Sequence, residues 1–135
     1  MKKANILHPQ LARIVASLGH GDMIVVCDAG LPIPPGVERV DLAFSLGKPS
    51  ILDVLEIILS EMCVESAKLA TEIRESKQSR SVHAELQAAL AQSTSIVEYT
   101  THQELKDSLI RARAIIRTGE ATPYANVCLF SGVVF

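Results

Sequence analysis

Four short stretches of this sequence hold side chains able to move a proton or grip a hydroxyl-rich ligand. Gly19-His20-Gly21-Asp22 presents an imidazole in a glycine-flanked turn, just before the apolar run Met23-Ile24-Val25-Val26-Cys27. Histidine titrates near neutral pH, so His20 could act as a general acid or base; a turn histidine bonded to nearby backbone would have the same sequence. Asp28 follows the apolar run, at the strand end where open α/β sheets place their ligands. Its carboxylate could accept from hydroxyls or orient His20, or simply cap the amides of Ala29 and Gly30. His102 and Lys106 stand four apart and share a face if Thr101 opens a helix. Both could reach one polyol, or the face could be merely solvated. In Thr122-Pro123-Tyr124-Ala125-Asn126, a rigid loop offers an aromatic face and an amide that both donates and accepts. Tyr124 could equally be a wedge under that loop, with Asn126 closing a turn. Arg117-Thr118-Gly119-Glu120 could add polar contacts, although solvent exposure accounts for it as well.

Other chemistries lack their motifs. No GxGxxG follows the first apolar run and there is no GxxxxGK[ST], so the usual phosphate cradles are missing; Gly19-His20-Gly21 is too little to replace them. No G-x-S-x-G elbow is present. No CxxC pair, HExxH or close His/Cys/carboxylate cluster has metal-ligand spacing, so the expectation is a protein without metal or cofactor. Cys27, Cys63 and Cys128 are odd in number, far apart and each within an apolar segment. They read as reduced, buried small hydrophobes.

The elements that must position these groups follow from periodicity. Leu11, Ile14, Val15 and Leu18 predict a helix over Gln10–Leu18, with Pro9 at its start and Gly19 to end it. The run Met23–Cys27 suits a strand buried on both faces. Three prolines within Leu31–Gly36 predict a rigid loop. Arg39–Phe44 reads as a strand. Ser50 with Asp53 forms a capping-box pattern opening a helix whose apolar stripe is Ile51, Leu52, Leu55, Ile58, Leu59 and Met62. Val64–Ile73 fits a strand or a helix end, with strand favoured; Glu75–Arg80 reads as loop and Val82–Gln92 as helix. Ile96–Tyr99 is strand-like, and Thr101 with Glu104 opens a second capping box, for a helix through Ile110. Arg113–Arg117 reads as a strand, Thr118–Asn126 as a loop, and Val127–Phe135 as a closing strand tied into the sheet or a subunit contact. Alternating strands and helices imply an α/β layered sheet, expected as one domain over residues 1–135.

Composition bounds the partners. The 135 residues are 48% hydrophobic, with no Trp and only three Phe and two Tyr, so one aliphatic core is expected. Thirteen basic against fifteen acidic residues, with no basic block, exclude a phosphate-binding surface of the kind nucleic acid requires. MKKANILHPQLARIV lacks an uninterrupted apolar segment, and ILDVLEIIL is broken by Asp53 and Glu56 and too short to cross a bilayer. The expectation is a cytoplasmic chain with no membrane partner.

Leu18–Pro34 (LGHGDMIVVCDAGLPIP), Arg39–Ala43, Gly47–Ser50, Glu61–Ile73, Tyr99–Lys106 and Ile115–Phe135 (IIRTGEATPYANVCLFSGVVF) together resemble the D-ribose pyranase family, over nearly the whole chain. The resemblance implies a three-layer α/β/α sandwich with a largely parallel or mixed central sheet. It also implies a homodecamer of two pentameric rings, with active sites at contacts between subunits. On matching positions it implies His20 as the catalytic acid and Asp28, His102, Lys106, Tyr124, Ala125 and Asn126 as sugar-binding positions, without cofactor. The implied activity is interconversion of the pyranose and furanose forms of D-ribose. L-fucose mutarotases share the fold and the histidine turn, and Gly21 and Asp22 are closer to that sister group, whereas DAGLPIP favours the ribose branch. Leu105 stands where the family has an aromatic. The alternatives are a mutarotase for fucose or another sugar, a non-catalytic sugar-binding module, and a purely structural oligomer.

Overall fold

The computed structural model describes residues 1–135. Six strands form one mixed sheet: β1 (Met23–Cys27), β2 (Glu38–Asp41), β3 (Val64–Ala70), β4 (Val97–Thr100), β5 (Ala114–Arg117) and β6 (Val127–Ser131). Their order across the sheet is β2-β5-β1-β6-β3-β4. All neighbours run parallel except β6, which is antiparallel to both β1 and β3. The carboxyl ends of five strands and the amino end of β6 therefore lie along one edge of the sheet.

The helices are α1 (Pro9–Ser17), α2 (Ile51–Leu59), the short α3 (Glu72–Glu75), α4 (Arg80–Ala91) and α5 (His102–Ser108), the last continued by a 3₁₀ turn over Leu109–Arg111. Successive side chains of β1 point to opposite faces, and both faces are covered. Ile24 and Val26 pack in one apolar cluster with Leu11 and Ile14 of α1, Leu55 and Ile58 of α2, and Leu86 and Leu90 of α4. Met23, Val25 and Cys27 join a smaller cluster with Leu31, Leu105 and Leu109. Every residue of β1 is buried, which is why its sequence carries no polar alternation. The result is the expected α/β/α sandwich, with the α5 side the thinner layer. No helix is long and apolar enough to cross a membrane.

Several boundaries depart from the sequence reading. The second strand spans only Glu38–Asp41, because after Leu42 N–H donates to Arg117 O (2.9 Å) the chain turns into a hairpin bridged between Ser45 and Lys48. The strand read as Val64–Ile73 ends at Ala70; Thr71 N–H bonds Thr100 O (2.7 Å), and Glu72–Glu75 coils into one helical turn. The next helix starts at Arg80 rather than Val82. The closing strand stops at Ser131 rather than Phe135, because its partners begin at Met23 and Val64 and offer nothing further to pair with. Val134 and Phe135 are exposed. Cys63 is only half-buried, its thiol against Val133 O (3.2 Å), whereas burial pushes the Cys27 and Cys128 thiols up to about 12.

Candidate functional site

Strand β1 separates His20 from Asp28. His20 precedes it and Asp28 follows it, so they sit at opposite ends of five extended residues, about 16 Å apart at ~3.3 Å per residue. Asp28 therefore does not orient His20 within one chain. The expectation that it could is corrected: the partner of His20 is Glu65, at the start of β3, with Nε2 3.2 and 3.3 Å from the two carboxylate oxygens. His20 also lines a cleft of about 390 Å³ with Leu18, Cys63, Gly132 and the exposed tail Val133–Phe135.

At the other edge, the carboxyl end of the parallel strands, Asp28 meets the loop entering β6. Asn126 Nδ2 donates to Asp28 Oδ2 (3.0 Å), and Asp28 N–H donates to Asn126 Oδ1 (3.0 Å), so one buried amide clamps both the side chain and the backbone of Asp28. Gly30 N–H donates to Asp28 Oδ1 (2.9 Å). Burial nevertheless dominates and holds the Asp28 carboxyl above the usual carboxylate range. The hydrogen bonds from Gly30, Asn126 and Leu31 and the charge of nearby His102 pull the other way.

His102 opens α5 directly after β4. Thr101 caps that helix: its hydroxyl accepts from Glu104 N–H (3.1 Å), while the Glu104 carboxylate accepts from Thr101 N–H (3.0 Å). Glu72 adds a second carboxylate at the same helix end, its two oxygens accepting from His102 N–H (3.0 and 2.9 Å). The imidazole is thereby set edge-on to Tyr124, with ring centroids 5.2 Å apart. Its Nδ1 is buried and has no hydrogen-bond partner. Removing the cap by Thr101→Ala should destabilise the protein by about 1 kcal/mol, read as a fall in Tm of a few degrees.

Tyr124 adopts φ 63°, a left-handed conformation that few non-glycine residues take up, and it packs at the junction of both apolar clusters. Ser79 Oγ donates to Pro123 O (2.6 Å) and fixes the loop, and Ala125 is wholly buried beneath it. At the loop's other end, Thr118 Oγ1 donates to Cys27 O (2.8 Å), and the Glu120 carboxylate accepts from Ile51, Ala121 and Thr122 N–H groups (3.2, 3.1 and 3.0 Å). Lys106, one turn along α5 from His102, is half-buried and forms no ion pair.

The carboxyl edge thus gathers Asp28, His102, Tyr124 and Asn126 into a cluster of acceptor, amide, imidazole and aromatic ring able to hold a polyol, and leaves His20 at the far edge. Glu65 and Glu72 were not singled out from the sequence. Glu72 follows a strand end, the only signal that could have marked it; Glu65 had none.

The RbsD / FucU transport protein family matches residues 1–134. Among curated relatives, D-ribose pyranases of Bacillus cytotoxicus and Bacillus mycoides are 47% and 49% identical over 135 residues, covering all of both chains in each case. Bacillus subtilis RbsD complexed with D-ribose superimposes with a TM-score of 0.93 at 42% identity, over the full length of both chains. A fucose mutarotase from Streptococcus pneumoniae, solved with L-fucose, shares the fold at 23% identity and a TM-score of 0.84, also over both full chains.

Proposed function

The chain belongs to the RbsD / FucU family, and on that premise we propose that it is a D-ribose pyranase, a single-domain isomerase interconverting β-D-ribopyranose and β-D-ribofuranose. The observation that carries this reading is the 47–49% identity, end to end, with relatives of that activity.

The chemistry requires a proton on the ring oxygen, removal of the proton from the anomeric hydroxyl, and cleavage of the C1–O5 bond to give the open aldehyde. Rotation about C1–C2 then brings the 4-hydroxyl to the carbonyl; it loses its proton as the C1–O4 bond forms and the carbonyl oxygen is reprotonated. Atoms and oxidation states are unchanged overall, so acid–base groups suffice and no cofactor is invoked. His20 is the proton donor in this reading, and Asp28, His102, Lys106, Tyr124, Ala125 and Asn126 hold the polyol.

Opposite ends of β1 cannot serve one sugar. The reading therefore sets His20 of one copy against the Asp28 cluster of a neighbour, in a homo-oligomer taken as a decamer of two pentameric rings in the cytoplasm. Exposed Phe44, Leu46, Val134 and Phe135 supply apolar surface for such contacts.

NMR magnetisation exchange between the anomeric protons of ribopyranose and ribofuranose tests the activity. Enhancement on adding the protein is the expected result. Enhancement only of L-fucose anomer exchange would make the chain a mutarotase, and sugar binding without enhancement of either would make it a binding module.

The acidic group at the site also sets a pH dependence. Because its folded-state pKa is raised, Asp28 loses its charge at a higher pH than an ordinary aspartate as the solution is acidified. Ribose affinity that depends on the carboxylate as acceptor should weaken from above the usual carboxylate range downward, and Asp28→Asn should flatten that limb. Calorimetric titration with ribose across pH, on both proteins, checks this.

A further inference from the structure

His20, in the turn before β1, and Glu65, in β3, meet across β6, which runs between those two strands. The Gly19–Asp22 turn is stitched to the end of β6. Gly21 N–H donates to Ser131 O (2.8 Å), Ser131 N–H donates to Asp22 O (2.9 Å), and Asp22 Oδ2 accepts from Gly19 N–H (2.9 Å) while Oδ1 pairs with Arg113 Nε (3.0 Å). On the other side of β6 the register slips: Val64 faces Ser131 and Ser66 faces Phe130, leaving Glu65 as the extra residue of a bulge. Bulges re-aim side chains, and this one turns Glu65 across the end of β6. Gly132 makes room beneath it, since a Cβ there would lie 3.3 Å from both Glu65 Cβ and Glu65 N. Thr94 Oγ1 donates to Glu65 O (2.7 Å) and fixes the bulge from outside.

An ionised carboxylate only accepts hydrogen bonds, so both contacts to Glu65 require His20 Nε2 to carry the hydrogen. Nδ1 is then the nitrogen left for the substrate, a lone-pair base in the neutral ring and an N–H acid in the imidazolium. We propose that Glu65 is the positioning residue for His20, holding Nε2–H so that proton exchange with the sugar takes place at Nδ1. The side chains are 60% and 50% exposed, so their attraction across water is weak and the contribution is orientation rather than stability. This rests on the reading of His20 as the acid.

The test compares wild type, Glu65→Gln, Glu65→Asp and His20→Ala. ¹⁵N NMR of the sugar-free protein assigns the His20 ring by the signals lost in His20→Ala. Wild type is expected to hold the single Nε2–H tautomer, and Glu65→Gln, whose amide can donate as well as accept, to show averaged nitrogen shifts. In ribose exchange, Glu65→Gln should lower kcat about tenfold, a share of the roughly 10²–10⁴-fold a positioned acid supplies, with KM within about twofold, and Glu65→Asp should recover part. Wild-type kcat, or an unchanged single tautomer, in Glu65→Gln overturns the proposal. If His20→Ala left exchange unaltered, the acid would lie elsewhere and Nδ1 transfer would be overturned, while the nitrogen spectrum would still decide separately whether Glu65 holds the ring.

Discussion

Replacing His20 with alanine should lower catalysed ribose ring exchange by roughly 10²–10⁴-fold, the usual contribution of a positioned acid, with the fold unaffected. The side chain is exposed and bonds only Glu65, so its loss opens no cavity and strands no buried group. The stronger result comes from mixing. Asp28→Asn removes the negative charge at the opposite edge and replaces one of its two acceptor oxygens by a donor while keeping the shape of the side chain, and should be similarly inactive. If the site is shared, co-expressing the two variants assembles junctions in which an intact His20 from one copy faces an intact Asp28 from the next. In a random assembly about one junction in four is so composed, and activity should return to that fraction of wild type. No recovery from mixed oligomers, with circular dichroism unchanged, would reject the shared site; full activity in His20→Ala alone would reject its role as the acid.

The largest effect on stability is expected at Gly119. A Cβ there would fall inside the contact radii of the Lys48 and Ser45 carbonyl oxygens and the Lys48 amide nitrogen. These are backbone atoms that cannot rotate away. Gly119 N–H also donates to Pro49 O (2.9 Å), so the hairpin after β2 and the loop leading to Tyr124–Asn126 are packed backbone to backbone. Gly119→Ala should destabilise by about 3–5 kcal/mol, the upper range for overpacking, and lower Tm by about 10–20 °C. Gly30→Ala is the matched control: its Cβ would meet only Asp28 Oδ1, at 3.6 Å, an ordinary contact, so Tm should stay within about 2 °C. Thermal unfolding of the two variants side by side checks both values.

Much of the scaffold was legible because it is locally encoded. The unbroken run Met23–Cys27 announced a strand buried on both faces, and Ser50/Asp53 and Thr101/Glu104 announced capping boxes that form with both reciprocal hydrogen bonds. Failures lie where partners decide. Leu129 to Phe135 is apolar but for Ser131 and Gly132, yet only residues with strand neighbours are extended in the sheet. In VESAKLATEI the stop at Ala70 is set by the neighbouring β4, which no local pattern reveals. Among the candidate residues, Asp28, Tyr124 and Asn126 were named from loop chemistry at a strand end, and the structure supplies what ties Asp28 to Asn126, 98 positions away. The separation of His20 from Asp28 was already implicit in the five strand residues between them. Glu65 was invisible because its orientation arises from a bulge, a property of two strands and not of either sequence.

The order of strands has a further consequence, for aggregation. A chain that is 48% hydrophobic, with segments as apolar as Met-Ile-Val-Val-Cys and Ala-Ile-Ile, would template cross-chain strand addition if those segments lay at an open border of the sheet. They lie inside it. The borders fall to β2 and β4, each four residues long, with Glu38, Arg39 and Asp41 on one and Glu98 on the other. Short, charged borders offer few free amides and resist fibre growth, so the chain can carry an aliphatic interior at high concentration without its backbone recruiting further copies.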